Sequence, residues 1–247
     1  MKQNESYENL ITEKLVSTWT FNNIVLPADE MKNLTYFVKE YEKQKLLDEF
    51  GFQLSNKVLL HGLSDCGKTL TAYAIAGELK KTLYVIDTEP YDDLTDHLTK
   101  LFRLADADNA ILLFENIDKY QTNILKIIDY LSDDCILIAT THNEEWLSRK
   151  IFNKFDLDIY FDMPDYQQTR ELIDKIISKS PFRFKNASEF DECVKVAKEN
   201  TYREIQKNLI KSLKYSLLNT PNPNNELIYI DTQYFIDLFY QWKILKI

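Results

Sequence analysis

The sequence predicts an α/β fold, a parallel five-stranded sheet with helices on both faces, followed by a small all-helical domain. Three observations carry that prediction. Short apolar runs alternate with amphipathic stretches between residues 57 and 163. Beyond Pro164 the strand-like runs stop while helical periodicity continues. Glycine is scarce, four in 247 residues, against an average usage of about 7%. Two of the four, Gly62 and Gly67, nevertheless fall within six positions of each other, marking a backbone that other residues adopt poorly.

The strand candidates are 57–62 (KVLLHG), 82–87 (TLYVID), 110–115 (AILLFE), 135–141 (CILIATT) and 157–163 (LDIYFDM). The first four are near-continuous apolar runs, as strands buried on both faces of a parallel sheet require. Helical stretches at 67–80, 94–104, 119–131 and roughly 144–153 lie between them, and strand–helix alternation at this spacing winds a right-handed α/β sheet. Ahead of the sheet, 29–50 reads as one long helix with Pro27 just before its start. After Pro164, helical periodicity covers 165–178, 189–199, 202–218 and 232–242. Ser180-Pro181 and the loop Pro221-Asn222-Pro223-Asn224-Asn225 break it, because proline and asparagine favour turns. Two domains are therefore expected, 1–164 and 165–247.

Composition removes several function classes. With 45% hydrophobic and 13% aromatic residues the chain buries a sizeable core, which excludes an intrinsically disordered protein. Acidic side chains outnumber basic ones 39 to 30, for a net charge of −9, and this counts against a general nucleic-acid binder, which needs a basic face to displace counterions. Cys66, Cys135 and Cys193 are too few and too scattered for a disulfide framework or a zinc site. No apolar run is long enough for a membrane span, and the polar stretch MKQNESYENL lacks the apolar region of a signal peptide. A soluble, cytoplasmic protein with no membrane partner is expected.

Directly after the first predicted strand comes Gly62-Leu63-Ser64-Asp65-Cys66-Gly67-Lys68-Thr69, which fits G-x-x-x-x-G-K-[ST]. The glycines let the backbone curl so that successive N–H groups point at a phosphate, and the helix that follows adds its positive end. Lys68 would neutralise the β- and γ-phosphates, and the Thr69 hydroxyl would ligate Mg²⁺. The apolar strand before and the helix TLTAYAIAGEL after, opened by Leu70, are the context the motif requires. The bland alternative is a chance strand–turn–helix containing GKT. On the nucleotide reading, residues 62–70 form the binding set for ATP or ADP with Mg²⁺. Cys66 occupies a variable position of the motif and reads as a bystander.

On these residues the chain resembles the AAA family of P-loop ATPases. Phe21–Leu79 looks like the family's opening: FNNIVLP, a long helix, VLLHG, the phosphate loop and TAYAIAGEL. ILLFENID (111–118) stands where the second nucleotide motif belongs, CILIATTHN (135–143) at the first sensor strand, and KFDLDIYFDMPD (154–165) at the strand leading into the lid. The helical tail resembles the C-terminal lid, and the likeness covers about residues 18–218. It implies ATP binding, a P-loop NTPase sheet, a homo-oligomer or hetero-oligomeric ring, and a protein client. It further implies Asn23 and Ile24 against the adenine, Ile173 either capping the base or serving as plain lid core, and Arg203 either as a second sensor or as a solvated helix arginine.

The pattern departs from the family at several positions. The family's second motif is four apolar residues, Asp-Glu, an apolar residue and Asp; here Glu115-Asn116 stands for Asp-Glu. Glu115 keeps a carboxylate for Mg²⁺. Asn116 replaces the glutamate that polarises the attacking water, and an amide cannot accept that proton, so a general-base contribution of roughly 10²–10⁴-fold is missing. The competing reading gives that task to Glu115 or Asp118. His142 takes the place of the family's polar sensor; His142 or Asn143 bonds the γ-phosphate, or both are loop residues. Lys154 precedes Phe155-Asp156 where relatives carry an arginine finger, with Arg149 and Lys150 further back, and lysine lacks the planar fork that clamps a phosphate. The segment 87–93 is short, acidic and without glycine, unlike a polypeptide-threading pore loop, and its Tyr91 is a pore relic or a surface tyrosine.

Arg203, Lys207, Lys211 and Lys214 share one helix face, which is a solvated stripe or a hold for an acidic or nucleic-acid partner. The aromatic segment YFIDLFYQWKILKI reads as a helix packing its apolar face, with part of it available to a neighbouring subunit. Three functions fit. The favoured one is a nucleotide-gated assembly or remodelling switch with weak hydrolysis. The others are an active ATPase that remodels a protein or nucleic acid, and a scaffold stabilised by nucleotide; the intact Lys68-Thr69 pair argues against the last.

Overall fold

In the computed structural model the described residues are 10–86, 95–120, 128–129, 131, 135–142, 145, 147–221, 223 and 227–245. They divide into two compact units, Met1–Gly62 with Lys68–Phe161, and Leu63–Gly67 with Asp162–Ile247.

The first unit is built on a six-stranded sheet. Its strands are β1 (Ile11–Val16), β2 (Lys57–Gly62), β3 (Thr82–Ile86), β4 (Ala110–Phe114), β5 (Ile136–Thr141) and β6 (Leu157–Phe161), in the order β1-β3-β4-β5-β2-β6. The five predicted strands are all present and mutually parallel. β1 is an addition: it pairs antiparallel with β3, with Leu15 opposite Leu83. Its sequence ITEKLV hides from a search for buried runs because an edge strand leaves Glu13 and Lys14 in solvent and Val16 78% exposed. At the centre the rule for doubly covered strands holds, and every residue of β4 and β5 is buried.

Among the described residues, helices α1 (Ala28–Glu42), α2 (Gln44–Glu49), α3 (Lys68–Leu79), α4 (Thr95–Ala107) and α5 (Arg149–Phe152) belong to this unit. The single helix expected at 29–50 is two, because Lys43 leaves helical backbone at φ −113° and ψ 21°. α2 buries none of its residues, so no packing holds it in line with α1. The stretch expected at 144–153 is helical only over α5, which Ser148 caps by accepting from the Ile151 N–H. Most of the predicted helix 119–131 and all of 87–93 lie outside the described residues. Leu98, Leu101, Phe102 and Ala105 of α4 join Leu59, Tyr84, Leu112, Phe114 and Leu137 in one core cluster.

The second unit holds α6 (Tyr166–Ile177), α7 (Ala187–Ala197), α8 (Tyr202–Leu218) and α9 (Thr232–Leu245). Reciprocal capping boxes start α6 at Asp165/Gln168 and α8 at Thr201/Glu204. Ile173, Cys193, Ile205, Leu209, Phe235 and Phe239 lie in its core. Two-residue strands β7 (Phe182–Arg183) and β8 (Ile228–Tyr229) pair parallel, a detail too short for periodicity to reveal. Burial pushes the thiols of Cys135 and Cys193 up to about 12, which leaves them unreactive. Among the described residues no helix is long and apolar enough to cross a membrane.

Candidate functional site

The register of the sheet assembles the site. Phe114 lies opposite Ala139 and His61 opposite Thr141, so the residues that follow β4 and β5 emerge beside the end of β2. In open α/β sheets ligands bind at these carboxyl ends, where the strand order reverses.

β2 ends on Gly62, whose φ is +111°. A Cβ there would fall 2.3 Å from the Phe161 carbonyl oxygen on β6, so glycine is required by both conformation and space. Asp65 at φ 60° and Gly67 at φ 106° continue the left-handed backbone, the turn chemistry that aims N–H groups to one side of a loop. The Lys68 side chain curls back and donates from Nζ to the Gly62 carbonyl at 2.7 Å, with the residue only 9% exposed. Next along α3, Thr69 Oγ1 donates to Glu115 Oε1 at 2.6 Å. A hydroxyl and a carboxylate 46 residues apart in sequence thus meet as two hard oxygen donors, the set a small divalent cation takes.

Asn116 follows with φ 54°. Its backbone N–H donates to Thr140 Oγ1 at 3.1 Å, and its Oδ1 stands 3.1 Å from His142 Nδ1. Asp118 Oδ1 accepts from Thr141 Oγ1 at 2.8 Å. Thr140 and Thr141, which fix the residues after β4, were not singled out from sequence; the signal was two hydroxyls closing an otherwise apolar run. His61 was missed as well. It is buried between the rings of Phe152 and Tyr160, with Nε2 3.4 Å from Asp158.

Lys68, Thr69, Glu115, Asn116 and His142 are therefore linked by the ends of three adjacent strands and the start of one helix. Among the described residues the other candidates have these surroundings. The Oδ1 of Asn23 accepts from its own turn, from the Thr20 N–H at 2.8 Å, and Ile24 is buried. Leu70 is partly buried in the first turn of α3. Ile173 is fully buried in the core of the second unit. In that same unit Ser64 and Leu63 are exposed and Cys66 is buried. Arg203 donates to Asp65 twice, from its backbone N–H to the carbonyl at 3.3 Å and from Nη1 to Oδ1 at 3.0 Å. Lys154 pairs with Asp129 at 2.7 Å. Asn143 and Tyr91 lie outside the described residues.

Comparison with known proteins agrees with this architecture. The family model described as "ATPase family associated with various cellular activities (AAA)" matches residues 58–163. An uncharacterized AAA family ATPase of Sinorhizobium fredii is 26% identical over 165 residues, covering 58% of this chain and 50% of the relative. A putative 26S proteasome regulatory subunit homolog of Methanothermobacter thermautotrophicus is 25% identical over 189 residues, 67% of this chain and 50% of its own. An ATP-dependent zinc metalloprotease of Phytoplasma mali is 24% identical over 194 residues, 67% of this chain and 32% of the relative. The chain thus spans about half the length of the first two of these relatives, and less of the third. The family match spans the stretch from the phosphate-loop strand to the end of the sheet, and over that stretch the chain is similar to the AAA family of ATPases.

Proposed function

We propose that this chain binds ATP with Mg²⁺ and works as a nucleotide-gated assembly or remodelling switch whose own hydrolysis is weak. The observation that carries the reading is the contrast between two neighbouring positions. Glu115 meets the Thr69 hydroxyl, which suits the pair to Mg²⁺, while position 116, where the family pattern has the glutamate that polarises water, holds an amide in a left-handed turn. The Thr69–Glu115 pair supports Mg²⁺ binding, and an amide at the place of the pattern's base fits a site that holds nucleotide longer than it consumes it. Ring-type association with copies or relatives, and a protein client, are the partners this reading carries.

An active remodelling ATPase is the second reading, favoured by the names of two relatives, one a proteasome regulatory subunit homolog and one an ATP-dependent protease. Steady-state phosphate release at saturating Mg-ATP, across a hundredfold range of protein concentration, separates the two. Near-zero turnover throughout, with binding measured independently, is expected; turnover that climbs with concentration would bring the second reading forward. Lys68→Ala is expected to abolish nucleotide binding, since no other cation is held over the Gly62 carbonyl in the described contacts. Micromolar-range affinity surviving in that variant would sink the site assignment.

A further inference from the structure

We infer that His142 is the group that takes the proton from the attacking water, and that Asn116 positions it for that task; the inference rests on the nucleotide-site reading above. An amide oxygen has no proton to give, so the 3.1 Å contact between Asn116 Oδ1 and His142 Nδ1 places the ring's proton on Nδ1. Nε2 then keeps its lone pair. An imidazole whose far nitrogen is tied down in this way has one tautomer and one orientation, the condition for service as a base.

The anchor is itself held. Asn116 carries its amide on a backbone at φ 54°, with its N–H tied to Thr140 Oγ1 at 3.1 Å. Asparagine is among the few residues that adopt this conformation readily, so the amide suits both the turn and the ring. The two nearby carboxylates are engaged elsewhere, Glu115 with Thr69 and Asp118 with Thr141. His142 is exposed, which leaves its ring accessible to water.

The step balances without a further reactant. Water oxygen forms the bond to the γ-phosphorus as one of its protons passes to His142 Nε2. The bond from the γ-phosphorus to the β–γ bridging oxygen breaks, and its electron pair leaves on ADP. Nδ1–H stays bonded to Asn116 throughout, and the imidazolium returns its proton to solvent.

The test is single-turnover hydrolysis of Mg-ATP by excess full-length protein, with affinity for a fluorescent ADP analogue measured beside it. His142→Ala and His142→Gln are each expected to lower the rate constant by about tenfold or more, with affinity within about twofold, and free imidazole is expected to restore part of the rate in His142→Ala. Asn116→Gly, which keeps the left-handed turn and removes only the amide, is expected to lower the rate constant several-fold at unchanged affinity. A rate that His142→Ala leaves unchanged, a loss that imidazole does not rescue, or binding with no turnover at all in the unaltered protein overturns the inference and leaves the switch reading intact. Absence of nucleotide binding in the unaltered protein overturns the site reading itself.

Discussion

Asn116 is where one residue decides most about this site. A left-handed backbone costs an ordinary L-residue about 1–2 kcal/mol and asparagine less, so the residue that stands in place of the pattern's glutamate also suits the conformation at φ 54°. Asn116→Glu puts a carboxylate at the place where the family pattern has one. It is expected to raise turnover at least tenfold while lowering stability by about 1 kcal/mol through backbone strain; phosphate release and a urea titration read the two effects separately. An unchanged rate would show that the barrier lies elsewhere, in the missing finger above all. The amide itself was legible in the sequence, because the Ile117-Asp118 ending pins the motif's register. Its contact with His142 was not, because two residues 26 apart are brought together only by the pairing of Phe114 with Ala139.

Among the elements, those with a continuous or regularly spaced buried pattern were the readable ones. β2, β4 and β5 announce themselves as apolar runs, and α8 falls on 202–218 as its periodicity predicts, with Ile205, Leu209 and Leu213 buried at helical spacing. β1 and the α1–α2 break were not readable, since an edge strand and an unpacked helix owe their form to neighbours or to none. Gly77 belongs with these. Glycine scarcity drew attention to Gly62 and Gly67, yet Gly77 in the last turn of α3 is needed for a different reason. A Cβ there would fall 1.8 Å from the Trp19 backbone carbonyl, where the segment before α1 crosses the helix. The same segment is tied to α3 by the Phe21 N–H donating to Glu78 Oε1 at 2.8 Å. Alanine gains about 1 kcal/mol in helix propensity over glycine, but a clash with backbone cannot relax as a side chain would. Gly77→Ala is therefore expected to destabilise the fold by about 1–3 kcal/mol, seen as a lower urea midpoint at constant slope. A raised midpoint would mean that residues 17–24 do not rest on α3.

For the whole molecule the open question is how one copy affects another's hydrolysis. The family resemblance implies an arginine supplied by a neighbouring subunit, and here Lys154 stands at that place in the sequence. It is bonded to Asp129 at 2.7 Å, with the two side chains 41% and 55% exposed. An exposed pair of this kind is worth no more than about 1 kcal/mol, so Asp129 does not hold Lys154 against a competing phosphate. What the lysine lacks is the planar fork that grips two phosphate oxygens at once. On the switch reading, self-association is expected to add little to turnover in the unaltered protein. Lys154→Arg supplies the fork. At dilute concentrations, where copies are separate, its turnover is expected to equal that of the unaltered protein. As concentration rises, its turnover per copy is expected to climb several-fold while the unaltered protein stays flat, because the added donors act only on a neighbour's γ-phosphate. Equal, flat profiles for both proteins would show that position 154 never reaches a neighbour's nucleotide, and the search for the missing cation would move to Arg149 and Lys150 on α5 or to a different subunit.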